Sequence, residues 1–274
     1  MDIRMICMDL DGTALQRDRT SFSPDLIRAL EEAHERGIAI VPVTGRQYGL
    51  LPEAVKNHPV WENLVVTCNG GQIRRLATGE LLDSLDISRS ALRQLLELAE
   101  TFDLPIEFSV DSRLYLTERS MALQQEDPGL VFHRDTILAN YGIQVDSLEP
   151  LCEKAVEKVN LLCIPEEKRE GVLEGLKQIP VSAVWSSHNC MEITHPDAHK
   201  GRGLEEACRL LDIPVEATMA LGDSGNDIAM LRRAGLGVAM GNAPGFVKEA
   251  ADAVTDAYDA DGAAKAIRKH ALKD

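Results

Sequence analysis

Strand-type and helix-type segments alternate at both ends of the chain, and this alternation restricts the fold more than any other feature. Residues 3–8 form an apolar run typical of a buried strand, and residues 24–36 carry an amphipathic helical pattern with Pro24 at its first position. Further apolar runs follow at 38–43 and 64–67. Strands that alternate with helices need crossover connections, so the sequence predicts an α/β fold with a parallel sheet.

The alternation stops in the middle of the chain and resumes at Lys200. The middle part carries a leucine-rich helical pattern and then several strand-type runs in succession, which is typical of an α+β unit. We therefore expect a parallel-sheet core formed by residues 1–82 and 190–274. Residues 83–189 are expected to form an inserted α+β domain.

Charge and hydropathy restrict the partners. The chain carries 44 acidic side chains against 29 basic ones, a net charge of −15. Such a balance does not suit a nucleic-acid backbone, so an anionic ligand would be held by a local positive group or a bound cation. The sequence shows neither a leader pattern nor an apolar run long enough for a membrane span, so we expect a cytoplasmic protein without membrane contact.

Polar clusters follow the predicted core strands. They are Asp9-Leu10-Asp11-Gly12-Thr13, Thr44-Gly45-Arg46, Lys200-Gly201 and Gly222-Asp223-Ser224-Gly225-Asn226-Asp227. The carboxyl ends of parallel strands meet at one edge of a sheet, where ligands bind, so three of these clusters are expected to converge. The Lys200 cluster instead follows a strand of the insert, at the return to the core.

Each cluster also has a plain structural interpretation. An Asx-turn would explain Asp9 and Asp11, and a helix N-cap would explain Thr44. Chemistry is favoured because residues two apart on an extended segment point the same way, so both carboxylates would face one small space. Lys200 opens a helix, where the helix dipole disfavours a cation, and an anionic partner explains it better. With Asp223 and Asp227, four acids would face one lysine, a charge balance that favours Mg²⁺.

These clusters, in this order, resemble the motifs of the haloacid dehalogenase (HAD) superfamily of phosphotransferases, over essentially the whole chain. The insert position, with Cys68-Asn69-Gly70-Gly71 and Val238-Ala239-Met240-Gly241-Asn242, resembles the Cof-type branch. Gly71 and Ala14 depart from that branch's usual Ala and Leu without touching the chemistry. The resemblance implies a Rossmann-like core, an α+β cap and hydrolysis of small phosphorylated metabolites, often sugar phosphates.

The resemblance also implies roles for individual residues. Asp9 would be the nucleophile that forms an aspartyl-phosphate, and Asp11, with a pKa raised by neighbouring carboxylates, would be the general acid and base. Mg²⁺ would be held by the Asp9 side chain, the Asp11 carbonyl and Asp223, with support from Asp227. The groups implied to hold the phosphate are Gly12, Thr44, Gly45, Lys200 and Asn226.

Two further questions stay open at the level of sequence. The first is whether the phosphoryl group passes to water, as in a phosphatase, or to a second hydroxyl, as in a phosphomutase; a non-catalytic metabolite-binding protein that retains the fold is the third possibility. The second is the substrate, which the cap is expected to select. The candidate substrate contacts are Asn69, Gly70, Ser187 and Asn189, followed by Glu107 and Arg113. The sequence makes no prediction of oligomeric state.

Overall fold

The chain forms two compact units in a computed structural model that describes residues 2–125, 127, 130, 131 and 133–273. The core unit comprises Met1–Asp83 and His199–Asp274, and the insert unit comprises Ser84–Ala198. The sequence predicts that the insert ends at residue 189, which is too early, because the insert unit continues to Ala198. The strand Met191–Thr194 pairs with two strands of the insert unit and therefore belongs to it.

Fourteen strands and ten α-helices lie in the described part of the chain. The strands are β1 (Met5–Met8), β2 (Ala39–Pro42), β3 (Val65–Thr67), β4 (Gln72–Arg74), β5 (Leu81–Ser84), β6 (Ile106–Val110), β7 (Arg113–Leu116), β8 (Gly142–Gln144), β9 (Lys158–Leu161), β10 (Ser182–Trp185), β11 (Met191–Thr194), β12 (Thr218–Gly222), β13 (Leu236–Ala239) and β14 (Ala253–Val254). The helices are α1 (Pro24–Glu35), α2 (Glu53–Lys56), α3 (Arg89–Thr101), α4 (Glu118–Gln125), α5 (Ala139–Tyr141), α6 (Arg169–Leu176), α7 (Lys200–Leu211), α8 (Ile228–Arg233), α9 (Gly245–Lys248) and α10 (Gly262–Ile267).

The core unit is built on a parallel five-stranded sheet in the order β14-β13-β12-β1-β2. All four residues of β1 are fully buried, as expected for a central strand whose two faces are both covered. In the register of the sheet, Met8 at the end of β1 lies opposite Leu221 of β12 and Pro42 of β2. These three strands therefore end side by side, and the residues that follow them emerge at one edge.

Local sequence explains where the two main core helices begin. Ser23 Oγ accepts a hydrogen bond from the Leu26 amide at 3.0 Å, which caps α1 in front of Pro24. The imidazole Nδ1 of His199 accepts one from the Arg202 amide at 3.0 Å, so α7 begins at Lys200. The helical pattern alone predicts a start near Gly203.

The insert unit is built on a six-stranded sheet in the order β10-β11-β9-β6-β7-β8. Its strands pair antiparallel except β7 and β8, which run parallel. One face of the sheet is apolar. Its residues include Phe108 of β6 and Val159 of β9, which pack with Leu95 of α3 and Val172 of α6. The opposite face of β6 carries Glu107, which is also buried.

No helix in the described ranges combines the length and the apolar composition needed to cross a membrane. The cytoplasmic location expected from the sequence stays a prediction.

Candidate active site

Three carboxylates meet at the edge where the central core strands end. Asp9 follows β1, Asp223 follows β12, and Asp227 closes the turn after Asp223. One carboxylate oxygen from each lies within 4.8 Å of the other two. Asp9 and Asp227 are buried, whereas Asp223 is partly accessible. The parallel register explains this meeting, because it brings the ends of β1 and β12 to one level.

Lys200 supplies a positive charge to this acid cluster. Its Nζ donates to Asp9 Oδ1 at 2.5 Å and to Asp227 Oδ1 at 2.7 Å, and the residue is 1% exposed. Burial alone lowers the pKa of Lys200, but Asp227 and Asp9 outweigh it and hold that pKa above its usual range. Lys200 is therefore an ammonium ion at neutral pH.

The cluster still carries an excess of negative charge. Burial raises the pKa of Asp9 well above its usual range against the attraction of Lys200, and Asp227 and Asp223 raise it further. Burial and the neighbouring Asp227 also raise the pKa of Asp223 to about 6. Three carboxylates around one ammonium suit a divalent cation with oxygen ligands. The donor set therefore fits Mg²⁺.

Asp227 shapes the turn as well as binding Lys200. Its Oδ2 accepts hydrogen bonds from the amides of Asp223 and Ser224, both at 2.9 Å. Gly222 leaves the room for this contact, since a Cβ there would lie 2.4 Å from Asp227 Cβ. The two oxygens of Asp227 thus tie the acid turn (residues 223–227) to α7.

Thr13 and Asn242 orient the Asp223 side chain. Thr13 Oγ1 donates to Asp223 Oδ1 at 3.0 Å, and Asn242 Nδ2 donates to Asp223 Oδ2 at 3.2 Å. Asn242 Nδ2 also lies 3.0 Å from the Gly12 carbonyl oxygen. Both residues belong to the motifs of the sequence, but the sequence alone predicts no role for either.

An arginine holds the carboxylate of Asp11. This carboxylate forms a two-point ion pair with Arg46, with Nε 2.7 Å from Oδ2 and Nη2 2.6 Å from Oδ1. The chain leaves the extended conformation at Leu10, where an irregular turn begins. Burial is the main cause of the raised pKa of Asp9, and the charge of Asp11 adds to it, so the two carboxylates lie near each other. That both face one small space stays a prediction. Arg46, like Thr13 and Asn242, is a site residue for which the sequence alone predicts no role.

The Thr44 loop (Thr44-Gly45-Arg46) lies at the same edge, after β2. Thr44 is 1% exposed, and its Oγ1 accepts a hydrogen bond from the Arg46 amide at 3.1 Å. Its own amide donates to the Val66 carbonyl at 2.9 Å. The binding of phosphate by Thr44 and Gly45 stays a prediction.

The residues expected to contact substrate lie in different places. Asn69 is 3% exposed in the core unit, where its Oδ1 accepts a hydrogen bond from Asn226 Nδ2 at 2.9 Å. Gly70 is also buried. Ser187 and Asn189 lie in the turn between β10 and β11 of the insert unit, and Asn189 Nδ2 donates to Asp127 at 2.5 Å. A substrate role for these residues stays a prediction, and burial leaves Asn69 little surface for one.

The two weaker candidates also differ in exposure. Glu107 is fully buried, within hydrogen-bond distance of Gln124, His133 and Asn160. Arg113 is exposed and donates to the carbonyl of Asn140 at 3.3 Å.

A comparison with known families assigns the chain. The family model of the haloacid dehalogenase-like hydrolases matches residues 6–267. The chain belongs to this family. Every residue of the acid cluster, Lys200 and the Thr44 loop falls within the matched range.

Relatives named as phosphatases align over nearly the full chain. The chain is 29% identical over 273 residues to the 5-amino-6-(5-phospho-D-ribitylamino)uracil phosphatase YcsE of Bacillus subtilis, covering 99% of this chain and 97% of that protein. It is 28% identical over 290 residues to the pyridoxal phosphate phosphatase YbhA of Escherichia coli, covering 99% and 100%.

Solved HAD structures share the fold. The phosphatase BT1666 of Bacteroides thetaiotaomicron superposes with a TM-score of 0.82 at 28% identity, covering 99% of this chain and 96% of that one. The subclass IIB sugar phosphatase BT4131 gives a TM-score of 0.82 at 27% identity, covering 97% and 98%. These comparisons confirm the expected family, the α/β core with an inserted cap, and an enzyme of the phosphatase class.

Proposed function

We propose that this HAD hydrolase is a Mg²⁺-dependent phosphomonoesterase that acts on a small phosphorylated metabolite through an aspartyl-phosphate on Asp9. One observation carries the proposal: a buried carboxylate is held by a buried ammonium inside a cluster of acids, at the ligand-binding edge of a parallel sheet. Burying these charges costs desolvation free energy and so lowers the stability of the fold. A catalytic role therefore explains the arrangement better than a structural one.

Asp9 performs the nucleophilic step in this proposal. Its free carboxylate oxygen attacks phosphorus, the bond to the leaving oxygen breaks, and water later cleaves the acyl-phosphate to restore Asp9. The Asp9 and Asp223 carboxylates and the Asp11 carbonyl, with support from Asp227, would hold Mg²⁺, which would supply positive charge to the phosphoryl oxygens. Lys200 fixes the orientation of the Asp9 carboxylate through its contact with Oδ1.

Asp11 is the proposed proton carrier. It would protonate the leaving oxygen in the first step and take a proton from the attacking water in the second. The ion pair with Arg46 holds its carboxylate in one place between these steps, and must loosen when the proton arrives. The Thr44 hydroxyl, the Lys200 ammonium, the Asn226 side chain and the backbone amides of Gly12 and Gly45 are proposed to hold the phosphoryl oxygens.

The substrates of the relatives support a proposal for the substrate class. One is named for a ribitylaminouracil phosphate, another for pyridoxal phosphate, and a structural neighbour for sugar phosphates. These compounds share a phosphate monoester on a small polar molecule. We propose a substrate of this kind, with sugar phosphates the first class to test and with the insert unit as the cap that selects it.

Phosphate release from a substrate panel tests the proposal. The panel contains sugar phosphates, pyridoxal phosphate, flavin mononucleotide, nucleotides and p-nitrophenyl phosphate, each with Mg²⁺ and with a chelator. Asp9→Asn is the matched variant, because it keeps the shape of the side chain and removes the nucleophile. Acid-quenched reactions are also analysed by mass spectrometry for a phosphoryl group on the peptide that contains Asp9.

We expect metal-dependent release of inorganic phosphate that disappears in Asp9→Asn, together with a phosphorylated Asp9 peptide. If the phosphoryl group instead appears on a second hydroxyl of the substrate and no free phosphate forms, the protein is a phosphomutase and not a hydrolase. A folded protein that binds these compounds but turns none of them over would favour the non-catalytic alternative.

A further inference from the structure

Three consecutive residues of the core unit have left-handed backbone conformations. The φ angles of Cys68, Asn69 and Gly70 are +51°, +55° and +92°. A non-glycine residue is disfavoured in this region by roughly 1–2 kcal/mol, and it stays there only when its surroundings require it. Cys68 and Asn69 are nevertheless both buried in this conformation. The contacts of this left-handed loop (residues 68–70) should therefore show which neighbouring segments require its conformation.

The backbone of the left-handed loop holds the Thr44 loop. The amide of Cys68 donates to the Arg46 carbonyl, and the amide of Asn69 donates to the Thr44 carbonyl, both at 3.0 Å. Two consecutive amides thus bind the carbonyls on either side of Gly45. The left-handed turn is what points both amides at the same neighbour.

The same loop packs against the first turn of α7. A Cβ at Gly70 would lie 2.1 Å from the His199 carbonyl oxygen, and a Cβ at Gly203 would lie 3.4 Å from the Gly70 Cα. Arg202 Nη1 donates to the Gly70 carbonyl at 2.8 Å. Two glycines therefore allow a close approach between the left-handed loop and the helix turn that carries Lys200.

The side chain of Asn69 makes the third connection, to the acid turn. Asn226 Nδ2 donates to Asn69 Oδ1 at 2.9 Å, while Asn226 Oδ1 accepts from the Ser224 hydroxyl. This second contact fixes which end of the Asn226 amide faces Asn69. Asparagine suits this position because it tolerates the left-handed region and offers an acceptor oxygen.

We propose that Asn69 is a positioning residue that sets the acid turn in register with the Thr44 loop and Lys200 through its hydrogen bond to Asn226. This inference rests on the proposed phosphatase function, and it replaces the expectation that Asn69 contacts substrate. The relevant residues all lie in the core unit. Loss of the Asn69 oxygen would let the acid turn shift without removing any group that contacts the phosphate.

The test compares Asn69→Gly with Asn226→Ala and with the double variant. Asn69→Gly keeps the left-handed backbone and removes the side chain that carries the acceptor oxygen. Asp212→Gly is the matched control, because Asp212 has a φ of +54° at the exposed end of α7, away from the acid turn. Two properties are measured: amide hydrogen exchange of residues 223–227, and kcat and KM for p-nitrophenyl phosphate with Mg²⁺.

We expect faster exchange of residues 223–227 in Asn69→Gly and unchanged exchange in Asp212→Gly. We also expect kcat to fall about five- to tenfold, the value of one hydrogen bond, with KM altered less. The double variant should be no slower than Asn226→Ala, because that change already removes the contact with Asn69 together with the proposed phosphate contact of Asn226.

Unchanged exchange in Asn69→Gly would overturn the proposal, as would kcat losses that multiply in the double variant. A large rise in KM with an unaltered kcat would indicate that Asn69 contacts substrate, as the sequence predicts, and would contradict the positioning role. If Asp9→Asn hydrolyses p-nitrophenyl phosphate as fast as the parent, the proposed function fails. The exchange comparison still decides the role of Asn69 in that case.

Discussion

The guanidinium of Arg46 holds the carboxylate of Asp11 at two points, with nitrogen–oxygen distances of 2.7 and 2.6 Å. Asp11 follows β1 and Arg46 follows β2, so the ion pair joins two loops at the edge of the core sheet where the acid cluster lies. Two-point pairs of this kind fix orientation as well as charge. Arg46 thereby aims the proposed proton carrier.

The first prediction concerns this pair. We expect Arg46→Ala to slow the hydrolysis of an alkyl phosphate about tenfold or more, since an alkoxide leaves only when it is protonated. Hydrolysis of p-nitrophenyl phosphate should be slowed much less, because nitrophenolate leaves without a proton. The measurement is kcat/KM for both substrates. Arg209→Ala, which removes an exposed pair with Glu206 on α7, is the control and should alter neither rate. Equal losses on the two substrates would contradict an effect through Asp11.

The second prediction uses two glycines with the same backbone. Gly12 and Gly37 have φ angles of +79° and +77°, but a Cβ on Gly12 would lie 2.5 Å from Asp223 Oδ2, whereas a Cβ on Gly37 has nothing within 4 Å. Alanine at either position should destabilise the fold by roughly 1–2 kcal/mol through backbone strain alone. Only Gly12→Ala should also displace Asp223.

The readouts are thermal unfolding and phosphatase activity, each at several Mg²⁺ concentrations. We expect Gly12→Ala to lose most activity and most of the stabilisation by Mg²⁺, while Gly37→Ala keeps both. Similar Mg²⁺ responses in the two variants would show that Asp223 is not a ligand.

The third prediction follows from the charge excess of the acid cluster. Because burial and three neighbouring carboxylates disfavour the ionised form of Asp9 more than Lys200 favours it, Asp9→Asn should leave the metal-free protein as stable as the parent or more stable. With saturating Mg²⁺, the parent should gain more stability than the variant, since ligand binding to the folded state raises the unfolding free energy. The measurement is the denaturation midpoint with chelator and with Mg²⁺.

Asp25→Asn is a suitable comparison for that experiment. Hydrogen bonds from Arg268 and Arg28 lower the pKa of Asp25 to about 2, so its charge is favoured in the folded state. Removal of the Asp25 charge should destabilise the protein slightly, and by the same amount with chelator and with Mg²⁺. A clear loss of stability in metal-free Asp9→Asn would mean that the contact with Lys200 outweighs the repulsion.

The sequence predicted the features of this protein that depend on local pattern. The apolar runs at 3–8, 38–43 and 64–67 predict strands, and β1, β2 and β3 lie within these ranges. The convergence of Asp9, Thr44 and Asp223 follows from the rule that parallel strands end at one edge. These predictions needed only apolar runs and the polar residues that follow them.

What the sequence missed depends on contacts between distant segments. Arg46 and Asp11 are thirty-five positions apart, and only the register of β1 and β2 brings them together. The start of α7 was missed because Gly201 and Gly203 weaken the helical signal, yet both are needed for close packing. Likewise, the inclusion of β11 in the insert unit is decided by its partner strand β9.

The fourth prediction concerns acid stability of the insert unit. Burial raises the pKa of Glu107, but the His133 ring and the amides of Asn160 and Gln124 outweigh burial and lower that pKa below 4.5. A carboxylate with a lowered folded pKa adds stability above its unfolded pKa and loses it as the pH falls through the folded value. Glu107→Gln should therefore be less stable than the parent at pH 7, since its amide group faces other amide donors.

That difference should narrow as the pH falls from the usual pKa of glutamate, where the unfolded chain takes up a proton, through the lowered pKa of the folded Glu107. The chain has two tryptophans, and Trp61 lies in the core unit, so a Trp61→Phe background leaves Trp185 to report on the insert unit. Urea unfolding is followed by Trp185 fluorescence from pH 7 to pH 3.5. The control is Glu149→Gln, which removes an exposed partner of Arg93 in the same unit and should show little change across this range. A stability difference that stays constant with pH would mean that Glu107 is protonated throughout, with burial dominant over its hydrogen-bond donors.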